Sequence, residues 1–324
     1  HLGMEGSEKI WSSEAVAENV SGIDVIIDGH SHEVNPAYLV QGKDGKHVII
    51  TQTGTKLQNI GQLTISVEGT LSTKLISGLT TKDPVLEEVI AKEKAAFEAI
   101  LQQPLGEALV PLYSKHPETG ERLVRKQECN VANLVADSFR KVLNTDIALV
   151  NGGGIRRDIP KGIFTYKDIL ELLPFGNMCA VKEVTGQQIL DALEMGVYEL
   201  PAESGGFLHV SGLTYVVDAT IPTSVVRDEK GNFIKVDGAY RVQEVKVAGK
   251  PLVLDKVYSV ASNSYILTHG GNGMIMFNSG KLLSEDNLTD ADAVIEYVQN
   301  HLNAKVGEEY KKPLGEGRIS IKLP

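Results

Sequence analysis

The chain has 324 residues, 42% of them hydrophobic and 23% charged, with a formal net charge of −10. That length is a soft prior for two domains with sizeable cores, and the composition is that of a globular α/β protein. The acidic balance argues against a nucleic-acid polymer as partner while leaving room for a local basic pocket for one small anion, and no run of about 18 apolar residues suited to crossing a membrane occurs. Cys129 and Cys179 make neither a disulfide framework nor a metal-ligand spacing. The chain opens at His1 without an initiator methionine, so the natural N-terminus is expected to have been removed or left out.

In chain order, Ile23 to Asp28 is a β-branched run that stops at Gly29, the pattern of a buried strand ending in a functional loop. His30 and His32 sit on that loop. Spaced two residues apart, both imidazoles can face one cleft and bind zinc or another transition metal, with His1 as a third ligand. Asp28 and Glu33 are candidate partners that orient the rings. Two loop histidines are more often solvent-exposed than metal-bound, so the pattern alone leaves both readings open. Residues 48–51, 61–67 and 71–76 predict a meander that ends the first domain. Asp83-Pro84 starts a charged helix running to about Gln103, with Leu86, Ile90, Phe97 and Ile100 on one stripe. This helix is either a connector or packed on its own domain. The expected division is 1–80, a connector helix at 81–104, and a second domain at 105–324.

In the second region Asn130 reads as the N-cap of a helix whose Val131, Leu134, Val135, Phe139, Val142 and Leu143 face a core. Further helices are expected from Thr185 through Val197 and from Ala291 to Asn303, with strands near Ile147, Leu213, Tyr240, Val257 and Ile319, which is α+β layering. Between them lies Asn151-Gly152-Gly153-Gly154-Ile155-Arg156-Arg157, directly after an apolar strand. Successive glycines let a backbone approach a ligand and adopt positive φ, and Arg156 offers a planar fork for carboxylate or phosphate. Phe175, between Pro174 and Gly176, is a candidate face for a nucleobase. The competing reading is a tight turn beside a surface arginine and a core phenylalanine; the two elements together favour a ligand.

These residues also carry a resemblance. The run from Asn151 to Arg156, then Leu173-Pro174-Phe175-Gly176-Asn177, then Gly270-Gly271-Asn272-Gly273 and Glu316-Gly317-Arg318-Ile319 resemble, in this order, the C-terminal substrate domain of the 5'-nucleotidase family. That family includes ecto-5'-nucleotidases, bacterial UDP-sugar hydrolases and 2',3'-cyclic-nucleotide phosphodiesterases. The resemblance extends over nearly the whole chain. Gly29-His30-Ser31-His32 and His1-Leu2-Gly3 resemble motifs of the calcineurin-like metallophosphatases, which makes His1, His30 and His32 the implied metal ligands. The implied fold class is α/β and α+β: a C-terminal remnant of a metallophosphatase β-sandwich domain, a connector helix, then an α+β nucleotide-recognition domain. The family's Asp-x-His, Gly-Asp and Asn-His-Glu motifs do not occur here, so a site for two divalent ions, zinc or manganese, would be incomplete in this chain.

The resemblance assigns Arg125 and Arg156 to nucleotide binding, places Gly153 in the glycine motif, and matches Asn151 to the asparagine that bonds the base. Phe175 and Asn177 match the stacking aromatic and its polar neighbour. Without the family Arg125 reads as a surface residue near a helix start. Asn272 stands where the family typically has an aspartate that holds the ribose hydroxyls. Ile266 falls at the second stacking position, and its neighbour Tyr265 is expected to swing in. The implied function is 5'-nucleotidase-type hydrolysis of nucleotide phosphoesters, in nucleotide catabolism, with this chain supplying mainly the nucleotide-binding domain and inactive alone. The alternatives are a 2',3'-cyclic-nucleotide phosphodiesterase, a nucleotide-sugar hydrolase or a non-catalytic nucleotide-binding module. A secreted, periplasmic or cell-surface location is implied by resemblance only.

Overall fold

The computed structural model describes residues 1–4 and 12–323. The chain divides into two compact units, His1–Lys92 and Glu93–Pro324, and the boundary falls inside the helix Pro84–Leu101. The whole is a mixed α/β arrangement of several sheets.

In the first unit, Val25–Asp28 pairs in parallel with His47–Thr53, which pairs on its other side antiparallel with Val34–Gln41. A separate hairpin joins Asn59–Ile65 to Leu71–Ser77. The parallel first pair makes this more than the meander expected from periodicity. Val34–Gln41 has no apolar alternation to announce it and is an edge strand, bulged between Asn35 and Tyr38 around Pro36, where a residue without an N–H is tolerated. Val48 and Ile50 on the central strand pack with Val40, Ala17 and Met4 into a small core. The helix Pro84–Leu101 buries none of its residues, and the stripe of Leu86, Ile90, Phe97 and Ile100 stays exposed.

The second unit is built on a five-stranded sheet, in the order Leu208–Ser211, Ile147–Asn151, Val257–Asn263, Met178–Thr185, Lys281–Thr289. Ile147–Asn151 is buried along its whole length because both faces are covered. Ala148 and Val150 point into one core with the helices Asn130–Val142 and Asp290–Glu296, while Ile147 and Leu149 point into the other with the helix Gly186–Val197. That split is the two-residue alternation of a strand. The helix Gly186–Val197 opens on a capping box in which Thr185 and Gln188 bond reciprocally. The helix Asn130–Val142 does not use the expected cap. Its N-cap is Cys129, without a side-chain bond, because the Asn130 amide is turned inward to Pro111 O and Tyr310 O and accepts Tyr113 N–H.

Two carboxylates tie the C-terminal strand to that helix. Glu128, only 2% exposed, accepts the backbone N–H groups of Glu316, Gly317 and Ile319 and the Asn133 amide. Asp137 accepts both arms of the Arg318 fork at 2.7 and 2.8 Å, together with the Ser211 and Tyr310 hydroxyls. The strand Ile319–Lys322 is thereby set in parallel beside Leu213–Asp218.

Glu128→Ala would strand three backbone donors in or near the core, at a cost on the order of 3 kcal/mol read from urea unfolding. A loss well under 1 kcal/mol would show that water replaces the carboxylate. For Asp137, burial pushes the carboxyl up, but hydrogen bonds from Arg318, Ser211 and Tyr310 outweigh it and hold it below 3.8. A folded pKa below the unfolded one contributes stability that is complete above the unfolded value and lost as pH falls through the folded one. Thermal melts should therefore weaken below pH 3.8 in the wild type, and Asp137→Asn should flatten that part of the profile.

Candidate functional site

The buried strand Ile147–Asn151 runs directly into a single 3-10 turn, Gly152–Gly154. None of these glycines has positive φ, so the expected left-handed backbone is not what selects them. Close approach of other chain segments does. A Cβ on Gly152 would lie 1.8 Å from the Val124 carbonyl oxygen, and one on Gly153 would lie 2.9 Å from that of Gly205. The Gly153 N–H bonds Gly205 O at 2.9 Å, the Gly152 N–H bonds Phe207 O, and Ser204 N–H bonds Arg125 O. Residues 123–125, 151–156 and 204–207 therefore meet.

Two arginines face this junction. The Arg125 guanidinium is partly buried and meets no protein acceptor among the described residues; burial lowers its pKa, and the neighbouring charges of Arg122 and Arg156 lower it further. Arg156 donates to Gly153 O at 3.3 Å and stands 5.8 Å over the Phe175 ring, which is 59% exposed. Phe175 is thus an exposed face and not the core residue of the competing reading. Two cations with spare donors beside an open aromatic suit an anionic or polar planar ligand.

Asn272 closes the other side. Its φ of 54° is the left-handed region that asparagine tolerates better than other non-glycine residues. Its side chain lies on Gly205 and Gly206, where a Cβ on Gly206 would come within 3.1 Å of the Asn272 Cβ. The Asn272 N–H donates to the Tyr265 hydroxyl at 3.3 Å, and its Oδ1 is buried without a hydrogen-bond donor. Tyr265 is 41% exposed, whereas Ile266 is fully buried with its N–H on Asn263 Oδ1. Ile266 therefore has no face to offer a ligand, which corrects its placement at the stacking position.

Asn151 and Asn177 are committed to protein partners. Asn151 donates to Gly205 O at 3.4 Å and accepts from Asn263 at 2.9 Å, bracing the glycine turn. Asn177 donates to Asp290 Oδ2, and its carbonyl accepts the Asp290 N–H, which anchors the Phe175 loop to the start of the helix Asp290–Glu296. Sequence reasoning missed the Ser204-Gly205-Gly206 loop and Asn263. A glycine pair was the only signal for the loop, and nothing marked Asn263.

In the first unit, the His1 and His30 rings meet edge to face with centroids 5.2 Å apart. His30 and His32 both have left-handed φ, 75° and 61°. His32 is not gathered with the other two: among the described residues no three His, Cys, Asp or Glu side chains form a group able to hold a metal. Asp28 accepts the Leu2 and Gly3 amides and the Ser13 hydroxyl, so it positions the chain carrying His1 and does not orient a ring. Two imidazoles are fewer than the three or four protein ligands of a zinc centre, and these residues alone do not fit one.

Residues 106–279 match the family described as 5'-nucleotidase, C-terminal domain. The chain is 28% identical over 322 residues to the trifunctional nucleotide phosphoesterase protein YfkN of Bacillus subtilis, covering 94% of this chain and 20% of that protein. It is 26% identical over 354 residues to the 5'-nucleotidase of Mus musculus, covering 99% and 58%. Among solved structures, the 5'-nucleotidase precursor from Thermus thermophilus matches with a TM-score of 0.70 and 28% identity, over 95% of this chain and 61% of that one. The chain thus spans between 20% and 61% of the length of these relatives.

The packing at the glycine turn is directly testable. Gly152→Ala drives a methyl into a backbone carbonyl and should destabilise the protein by about 1–3 kcal/mol or more in thermal denaturation. Gly154→Ala, whose Cβ would meet only Asn151 Oδ1 at 3.4 Å, should be close to neutral. Equal effects at the two positions would overturn the assignment.

Proposed function

The chain belongs to the 5'-nucleotidase family through its C-terminal domain, and from that premise we propose that this domain recognises the nucleoside part of a nucleotide whose phosphoester the parent protein hydrolyses. The observation that carries the reading is the Arg125 guanidinium, partly buried and without a protein acceptor among the described residues, beside Arg156, which itself stands over the exposed ring of Phe175. The arginine forks would hold ribosyl or anionic oxygens, Phe175 would stack on the base with Tyr265 as second wall, and Asn272 would border the ribose side of the site. Stacking tolerates every base, so a broad base preference follows. Asn151, Gly153 and Asn177 would act by holding these groups in place.

Two divalent ions, zinc or manganese, would supply the hydrolytic chemistry when bound, with His1, His30 and His32 among their ligands. The alternatives within hydrolysis are a cyclic-nucleotide phosphodiesterase and a nucleotide-sugar hydrolase. For this chain by itself, the second reading is a nucleotide-binding module without catalysis. No helix among the described residues is long and apolar enough to cross a membrane, and the proposed location is exported, in the periplasm, at the cell surface or secreted.

Calorimetric titration with adenosine and AMP tests recognition. Phe175→Ala should weaken binding by about 1–3 kcal/mol and Arg125→Gln should weaken it as well. A wild-type chain that binds neither ligand would refute the proposal. Phosphate release from AMP by the purified chain, abolished by a chelator, would refute the non-catalytic reading.

A further inference from the structure

A second basic site lies at the other end of the sheet. Strand register places Leu208 opposite Asn151 and Ser211 opposite Ala148, so Ser211 lies three residues, about 10 Å, along the strand from the nucleoside cluster. There a cavity of about 320 Å³ is lined by Arg140, Lys141, Lys246 and Arg318, with Asp137 the sole carboxylate among the described residues of its wall. In a chain of formal net charge −10, four cations against one acid is a local inversion of sign.

The one acid is already engaged. Asp137 takes the paired bonds of Arg318 and the hydroxyls of Ser211 and Tyr310. Arg318 has Glu316 at 3.6 Å as a further neighbour, and Lys246 has Glu244 at 3.6 Å, an exposed pair that solvent screens. Lys141 and the terminal nitrogens of Arg140 have no protein acceptor among the described residues. Arg140 is nonetheless held in orientation: its Nε donates to Ser211 Oγ at 2.7 Å, and Ser211 in turn donates to Asp137 at 2.5 Å. Its stem passes over Gly212, where a Cβ would lie 2.8 Å from Arg140 Cδ and 2.1 Å from Asp146 O. The guanidinium fork is therefore fixed at Nε and open at its outer edge, the geometry that takes two oxygens of one oxyanion. Placement of Arg140 and Lys141 in the last helical turn accounts for the presence of cations there, since they complement the helix dipole. It does not account for the Ser211 and Asp137 relay that orients one of them.

We propose that this cavity binds a phosphate-class anion of two or more charges, a pyrophosphate group being the best fit to an open fork flanked by two lysines. The proposal is independent of the nucleoside reading. The test is thermal denaturation and calorimetry of the whole chain with inorganic pyrophosphate, inorganic phosphate, and sodium chloride at matched ionic strength. Pyrophosphate should raise the melting temperature saturably and bind more tightly than phosphate; Arg140→Gln should weaken it about tenfold, with Lys235→Gln, in an exposed pair with Asp237, leaving it unchanged. An equal response in wild type and Arg140→Gln, a response reproduced by chloride, or a loss in Lys235→Gln in place of Arg140→Gln would each overturn the site. Should Arg140→Gln fail to fold, Lys246→Gln on the exposed rim reads the same question, and unchanged pyrophosphate affinity in that variant would also overturn it.

Discussion

The arrangement of the second unit turns on the contact between Gly152 and the Val124 carbonyl. No side chain fits there, since a Cβ would overlap that oxygen. Because Gly152 admits the segment carrying Arg125, and Gly153 admits the loop carrying Gly205, the end of one buried strand becomes the meeting point of three parts of the chain. The open polar groups of the candidate site are attached to those parts or lean on them. Asn272 rests on Gly205 and Gly206, Arg156 bonds Gly153 O, and Arg125 follows Val124. A strand whose two faces are both buried is a rigid base for such a junction, and its end is where groups can be presented to solvent without disturbing a core.

Buried carboxylates do comparable work elsewhere in the same unit. Glu128 gathers three amides of the C-terminal segment, and Glu194 accepts the Arg241 and Val242 amides from the start of another strand. Burial raises the Glu194 carboxyl, and the two amide bonds only partly offset it. In both cases a charged acceptor replaces ladder partners that strand ends would otherwise lack. The distribution of polar groups therefore separates into braces, whose atoms are engaged by the protein, and binders, whose atoms are not. Asn151, Asn177 and Glu128 are braces; Arg125 and the outer edge of Arg140 are open, while Asn272 Oδ1 is buried without a donor.

That distinction could not be read from the chain, because residue type is the same on both sides of it. Asn151 and Asn272 are both asparagines in glycine-rich runs, yet one is held by Gly205 and Asn263 and the other keeps a buried acceptor without a donor. Tyr265 and Ile266 are adjacent, and only the turn of a short helix decides which is exposed. The histidines show the same limit: His30 and His32 are two apart in sequence, but the ring that meets His30 is that of His1.

Local signals set much of the rest. Apolar periodicity located the helix Asn130–Val142, the strand Ile147–Asn151 and the helix Gly186–Val197, since period is a property of neighbouring residues, whereas the cap expected at Asn130 fell to Cys129. Ordered motifs from Asn151 to Ile319 were enough to indicate the family, and the acidic composition did not hide a basic pocket. Only the tertiary structure decided why the glycines are there, which asparagines brace and which do not, and that Ser204 to Gly206 and Asn263 belong to the site. Those facts depend on contacts between residues distant in sequence, such as Gly152 with Val124 and Asn151 with Gly205, and no local pattern encodes which distant carbonyl a missing Cβ makes room for.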